Sequence, residues 1–299
     1  MHGLISGTRH SVRNLILRVA GSWWLVTAWL LLPEGNGITG ERTLSYREES
    51  HASRASCLQV GEELEYQVSY SFFNIGTIHF KILDREERNR NVVYKAKTVI
   101  ESNPSLRWLK EVHIRFYGEM DDSMFSYYWI GEDSSSSGVN YNSLRFDYDR
   151  GLLVYQKGKV GPSGERRSTR VDSIQIKSRG QDGQSLFFYA RENARERRQM
   201  NIPTFIENKE VTTNINFHNK IEEVEIDAVD YSVETVFLDG RADFVGVAGL
   251  TGGFRGWFSN DGARIPILAR MGVWLGSIKV ELKSWNRNGW QPPRYKGRS

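Results

Sequence analysis

The chain has 299 residues with 39% hydrophobic and 12% aromatic content, so it can bury a core large enough to offset the entropy lost on folding. Its 40 Lys and Arg against 36 Asp and Glu leave a net charge of +4, and the two signs alternate along most segments. A nucleic-acid partner calls for a concentrated basic stripe, so none is expected.

The first element is a basic region with Arg9, Arg13 and Arg18, followed by a 14-residue apolar run, Val19–Leu32, which Pro33 and Glu34 stop. A bilayer-spanning helix needs about 20 residues, whereas a basic region, a short apolar core and small residues make a secretory signal. Gly35 and Gly37 place cleavage after Gly37, which makes residues 1–37 a signal peptide and implies a periplasmic or cell-envelope location. Bulky Trp24 and Trp29, and the absence of an Ala-x-Ala site, leave an uncleaved inner-membrane anchor as the alternative. Membrane contact is expected only through that segment. Removing residues 1–37 takes away three arginines against Glu34 and leaves a charge of +2. Residues 38–58, rich in Arg, Glu and Ser, read as a flexible tether. The lone cysteine, Cys57, excludes an intrachain disulfide. Ala55-Ser56-Cys57 has the small residues of a lipidation site, but Arg54 precedes it and the apolar run lies far upstream, so a free thiol is expected.

From Val60 the dominant period is two, the mark of strands with one buried face. It shows in Leu64–Tyr70, Thr77–Ile82, Val92–Thr98 and most clearly in Glu111–Tyr117, where Val112, Ile114 and Phe116 share a face. Further strands are expected at Phe125–Ile130, Ser143–Tyr148, Leu152–Gln156, Ser173–Lys177, Ile221–Val229, Ser232–Leu238, Gly253–Phe258, Ile265–Trp274 and Ser277–Trp285. Turns are expected at Asn74 and Gly76, Asp149-Arg150-Gly151, Asn260-Asp261-Gly262 and Gly276. The polar stretch Glu132–Gly138 reads as an exposed loop. In the last hairpin, Ile265, Ile267, Ala269 and Met271 should face Ile278, Val280 and Leu282.

One segment breaks the period. After Asp182, an N-cap residue, Leu186, Phe187, Tyr189, Ala190 and Ala194 alternate with Arg191, Glu192, Arg195, Glu196 and Arg198 at helical spacing. This amphipathic helix either packs on the sheet or forms a lid over a cavity. The tail Asn286–Ser299, with two prolines and several basic residues, reads as disordered. Residues 59–285 are thus expected to form an all-β, mainly antiparallel domain, a large curved sheet or a half-open or closed barrel with one helix.

Catalytic signatures are lacking. His79, His113 and His218 lie on or near strands without HxH, HxxxH or HExxH spacing, so no metal is expected. No G-x-S-x-G elbow occurs, and the glycine-rich run Gly246–Gly253 has no following Lys-Ser/Thr and leads into a strand, so no cofactor is expected. Asp121-Asp122 and Asn260-Asp261 occupy turn-like positions, where Asp bonds local backbone.

Three blocks carry a resemblance: Gly61–Tyr70, Asp182–Arg191, and Trp257–Pro266 with Gly276–Leu282. In this order they resemble the domain-of-unknown-function 3108 family of exported bacterial proteins over about residues 59–285, with Asn260 standing where an acidic residue is common. The resemblance implies an exported β-rich domain and brings no activity, cofactor or substrate with it. The expected function is non-catalytic holding or carriage of an apolar ligand or lipid. Trp108, Trp129, Phe187, Trp257 and Trp274 are the candidates to line the cavity or fill the core. The alternatives are a structural or assembly partner for another envelope component, and an enzyme acting on cell-wall glycan.

Overall fold

The structure, a computed structural model, describes residues 57–88, 91–106, 111–242, 252–272 and 276–297. The signal segment and most of the tether therefore lie outside the described residues. Alternating side chains fold into fourteen antiparallel strands. In chain order these are β1 (Glu63–Tyr70), β2 (Phe73–Arg88), β3 (Asn91–Ser102), β4 (His113–Asp121), β5 (Ser126–Ser135), β6 (Gly138–Asp147), β7 (Leu152–Val160) and β8 (Arg166–Gln175). The helix α1 (Gly183–Asn193) follows, and then β9 (Arg198–Ile206), β10 (Lys209–Val224), β11 (Val233–Ala242), β12 (Gly252–Ser259), β13 (Pro266–Gly272) and β14 (Ser277–Asn286).

Sequence neighbours pair throughout except β8 and β9, and β1 pairs with β14 as well as β2, giving the order β8 to β1, then β14 to β9. The curved sheet does not close, since β8 and β9 remain its two edges. The chain joining them fills the gap: Phe205 N–H donates to the Gln181 carbonyl at 2.7 Å, and Ser126 N–H to that of Gly180 at 3.2 Å. Antiparallel order sorts the connections into two ends. Those of β1–β2, β3–β4, β11–β12 and β13–β14 share one end, called the rim. Glu62, Ser126 and the loop 260–265 lie at the other, the helix end.

The last hairpin has the expected register, with Ala269 opposite Val280 and Met271 opposite Ile278. Its outer face is also covered, because residues 225–231 fold back over it. Leu268 and Glu281 are buried there, and Asp227 N–H donates to Glu281 Oε1 at 3.3 Å.

Several expectations need correction. The stretch Glu132–Gly138 is a hairpin: β5 runs through Ser135 and β6 starts at Gly138, and Glu132 pairs with Arg166 at 2.9 Å. Its residues are polar because paired ions, not apolar contacts, hold the ladder there. Asn74 and Gly76 lie inside β2, and the turn sits at Ser71 and Phe72, with Ser71 at φ 54°. The tail is packed as far as Tyr295. Trp290 Nε1 donates to Asp261 Oδ2 at 2.7 Å, its ring meets Trp285 edge-on, and Tyr295 N–H donates to the Ser232 carbonyl. An indole that gains a carboxylate acceptor and an aromatic neighbour outweighs the prolines around it. The end of the tether is likewise fixed, since Cys57 and Leu58 belong to the core.

Candidate functional site

The helix α1 begins in a capping box. Asp182 Oδ1 accepts from Gln184 N–H at 2.6 Å and Ser185 N–H at 3.0 Å, while Ser185 Oγ accepts from Asp182 N–H at 2.9 Å. Ser126 Oγ donates to the other Asp182 oxygen at 2.5 Å and ties the cap to β5. Burial pushes the Asp182 carboxyl above its ordinary value, and these donors oppose that rise. At the helix's other end Arg191 is fully buried and donates to Glu62 and to the Ala263 and Cys57 carbonyls. The helix therefore lies across the helix end of the barrel, from the start of β5 to the start of β1. The amphipathic reading put Arg191 on the wet face, and the structure buries it because Glu62 supplies a bidentate partner.

Around the helix the interior is solid. Phe188, Ala190 and Ala194 pack against Ile82, Ala96, Met120, Val236 and Phe258, all buried. Towards the rim the same inner face changes character. Ile78, Phe80, Ile100, Phe116, Phe254 and Met271 point inward by register yet keep partial exposure. These inward-facing, part-exposed apolar groups outline a cup above α1, with buried Ile114 and Ile278 nearer the rim. Phe187, also part-exposed, forms the floor with its ring stacked on Phe80, 4.2 Å between centroids and 4° between planes.

Two polar groups enter this cup. Gln184 Nε2 donates to Thr98 Oγ1 at 2.9 Å, while Gln184 Oε1 and Trp129 Nε1 are buried and have no hydrogen-bond partner. Room for both comes from glycine. A Cβ at Gly118 would sit 2.5 Å from Gln184 Oε1, and one at Gly131 would sit 2.8 Å from the Trp129 ring. The indole lies tilted against Phe116, 5.4 Å between centroids. One acceptor and one donor without partners are thus enclosed among apolar side chains.

Of the five candidate residues, Phe187 and Trp129 come together in the cup. Trp257 does not. Gly256 is the residue of β12 that faces inward, so Trp257 lies outside, against Phe237, with Nε1 donating to Glu222 Oε2 at 2.7 Å. Trp108 and Trp274 lie outside the described residues. Sequence reasoning missed Phe80 and Gln184; glycines within the strand patterns at 118 and 131 were the available signal of a close approach.

The remaining polar candidates serve the fold. Asp121 accepts from Ser123 N–H and Phe125 N–H at 3.0 and 2.9 Å and pairs with Arg179, and burial pushes its carboxyl up against that pairing. Asp261 accepts from Ala263 and Arg264 N–H at 3.0 Å and shapes its loop. His113 and His218 pair with Glu101 and Asp239 on separate parts of the sheet. Among the described residues no group of three His, Cys, Asp or Glu side chains converges.

Comparison with known proteins is consistent with this architecture. A family described as "Protein of unknown function (DUF3108)" matches residues 65–283. No curated protein matches the sequence. Among solved structures, the crystal structure of a beta-barrel-like protein of domain of unknown function DUF1849 from Brucella abortus is similar, with a TM-score of 0.50 and 11% identity over 76% of this chain and 97% of that one. At that identity the likeness concerns the fold alone.

Proposed function

The chain belongs to the DUF3108 family, and for this member we propose a non-catalytic function: an exported cell-envelope protein that holds an amphiphile, a lipid or lipid-like molecule, in the cup above α1. The observation that carries this reading is the part-exposed inner face towards the rim, apolar on its walls and floored by the Phe80–Phe187 stack. Burying a single long acyl chain there would replace water on both partners, at about 0.8 kcal/mol per methylene. Trp129 Nε1 would donate to the head group and Gln184 Oε1 would accept from it. Export rests on the basic, apolar and small-residue order of the first 37 residues.

Docking through a free strand edge is the weaker reading. The β8 edge carries Arg166, Arg167 and Arg170, charges that discourage edge-to-edge pairing.

The test is titration of the mature protein with a fluorescent fatty acid. Saturable binding that quenches tryptophan emission, is displaced by unlabelled fatty acid, and is lost in Phe187→Glu with the β-sheet circular-dichroism spectrum kept supports the cup. If wild type takes up neither fatty acid nor phospholipid probes, the reading is wrong.

A further inference from the structure

We propose that the rim beside β11–β14 docks on an anionic lipid bilayer, so that the mouth of the cup opens against the membrane. This rests on the cup reading above and names the surface from which the cup is loaded or emptied.

Two independent features meet at this rim. The first is a row of cations on the outer face. Arg255 lies directly opposite Arg270 across β12–β13, and Arg270 directly opposite Lys279 across β13–β14. Like charges placed opposite each other destabilise a sheet, so a row of three is costly to the fold. Neither Arg255 nor Arg270 has an ion pair or hydrogen bond among the described residues, and both are exposed. The carboxylates that face them are already engaged. Asp239, opposite Arg255, accepts from Asn216 and pairs with His218, and Glu281 pairs with Lys279. Lys279 is balanced by Glu281, and Asp239 opposite Arg255 offsets one more charge, so the three cations against these two carboxylates leave a surplus of about one positive charge, with Arg270 having no facing carboxylate.

The second feature is Phe72 at the β1–β2 turn. It is 78% exposed, with its ring tilted at 39° to that of Phe73 and 4.2 Å between centroids. No contact with the core accounts for its position. Exposed Phe is among the apolar side chains that enter the boundary between head groups and acyl chains.

The spacing fits a bilayer. The cation row crosses to β1 at Ser69, opposite Lys279, and Phe72 lies in the two-residue turn just beyond the Tyr70–Phe73 pair, about two residue rises further towards the rim. At about 3.3 Å per residue this sets it roughly 7 Å beyond the row. The head-group layer is roughly 5–8 Å thick on each side of the hydrocarbon. With Phe72 at the hydrocarbon boundary, Arg255 and Arg270 stand at the level of the phosphates. A free anionic protein partner would match the cations but leave Phe72 unexplained, and the bilayer answers to both.

The test is co-sedimentation of the mature protein with vesicles of pure phosphatidylcholine and with vesicles containing one third phosphatidylglycerol, at low and high salt. Binding to the anionic vesicles only, weakened by salt, is expected. Arg255→Gln and Arg270→Gln should each lower it about fivefold, since a cation near an anionic surface contributes about 1 kcal/mol. Phe72→Ser should lower it at both salt concentrations. All three variants should bind soluble fatty-acid probe as wild type does, which shows that they fold and keep the cup. Absent binding to anionic vesicles, equal binding to both vesicle types, or variants that bind like wild type overturn the docking. Vesicle binding without fatty-acid uptake would overturn the cup and leave the docking standing.

Discussion

Arg191 donates to both oxygens of Glu62, Nη1 to Oε1 at 2.5 Å and Nη2 to Oε2 at 2.9 Å, and both side chains are buried. Arg287, just past β14, donates to the same carboxylate. One acidic residue thus joins the helix, the first strand and the last. Removing Arg191 leaves the buried Glu62 carboxylate with Arg287 on one oxygen and strips the other oxygen of its Arg191 donor. Arg191→Met should cost about 3–5 kcal/mol in urea denaturation at neutral pH. Adding Glu62→Gln to Arg191→Met should cost much less than the sum of the single changes, and additive losses would show that the two residues do not act as a unit.

The last hairpin buries both faces, so its mutants should not follow a simple alternation. Val280→Ala on the inner face should cost about 1–3 kcal/mol, and Leu268→Ala on the covered outer face about 2–5 kcal/mol. Lys279→Ala should be close to neutral. A neutral Leu268→Ala would mean that residues 225–231 do not pack against β13.

Cys57 should behave as a buried thiol. Burial pushes it up to about 11 from 9.0. The folded state then keeps a proton that the unfolded chain loses, so its contribution to stability is full below about pH 9 and is lost as pH rises towards 11. The loss amounts to about 3 kcal/mol across that window. The difference in stability between wild type and Cys57→Ala should shrink by that order between pH 8 and pH 11. A disulfide reagent should modify the thiol at pH 8 only after denaturation.

Gly131 makes room for the Trp129 ring. Gly131→Ala should therefore displace the indole, shift its fluorescence, and destabilise the fold by about 1–3 kcal/mol. Trp129→Leu in the same chain should recover most of that loss. A Gly131→Ala variant with unchanged tryptophan emission would mean the ring does not lie where the structure puts it.

How far the sequence could be read depended on whether a segment's neighbours were local. Glu111–Tyr117 alternates clearly, and β4 lies there with Ile114 and Phe116 inward. The helix was legible for the same reason, since Asp182 caps it through bonds two and three residues away. In contrast, β9 was invisible. Its sequence, Arg198 to Ile206, is half polar and contains Pro203, which suits an edge strand whose outer side is met only by the bridge at Gln181. Arg191 was misread because its partner, Glu62, is 129 residues away. Trp257 belonged to a strand whose inward face is marked by a glycine, so the larger ring drew attention to the wrong side. The packed tail depends on Asp261 and Ser232, two loop residues that no local pattern connects to it.

Because β1 hydrogen-bonds to β14, the first and last strands of the domain are neighbours. Glu63 lies opposite Asn286, a closure that spans almost the whole domain in sequence. Contacts this far apart are the slow ones to form, because the intervening chain must be ordered before they add stability. During synthesis, hairpins from β2 onward can form as they appear, but β1 has only one of its two partners until the final strand emerges. A chain that lacks β14 therefore leaves the apolar β1 with an unpaired edge, and stable folding waits for that strand.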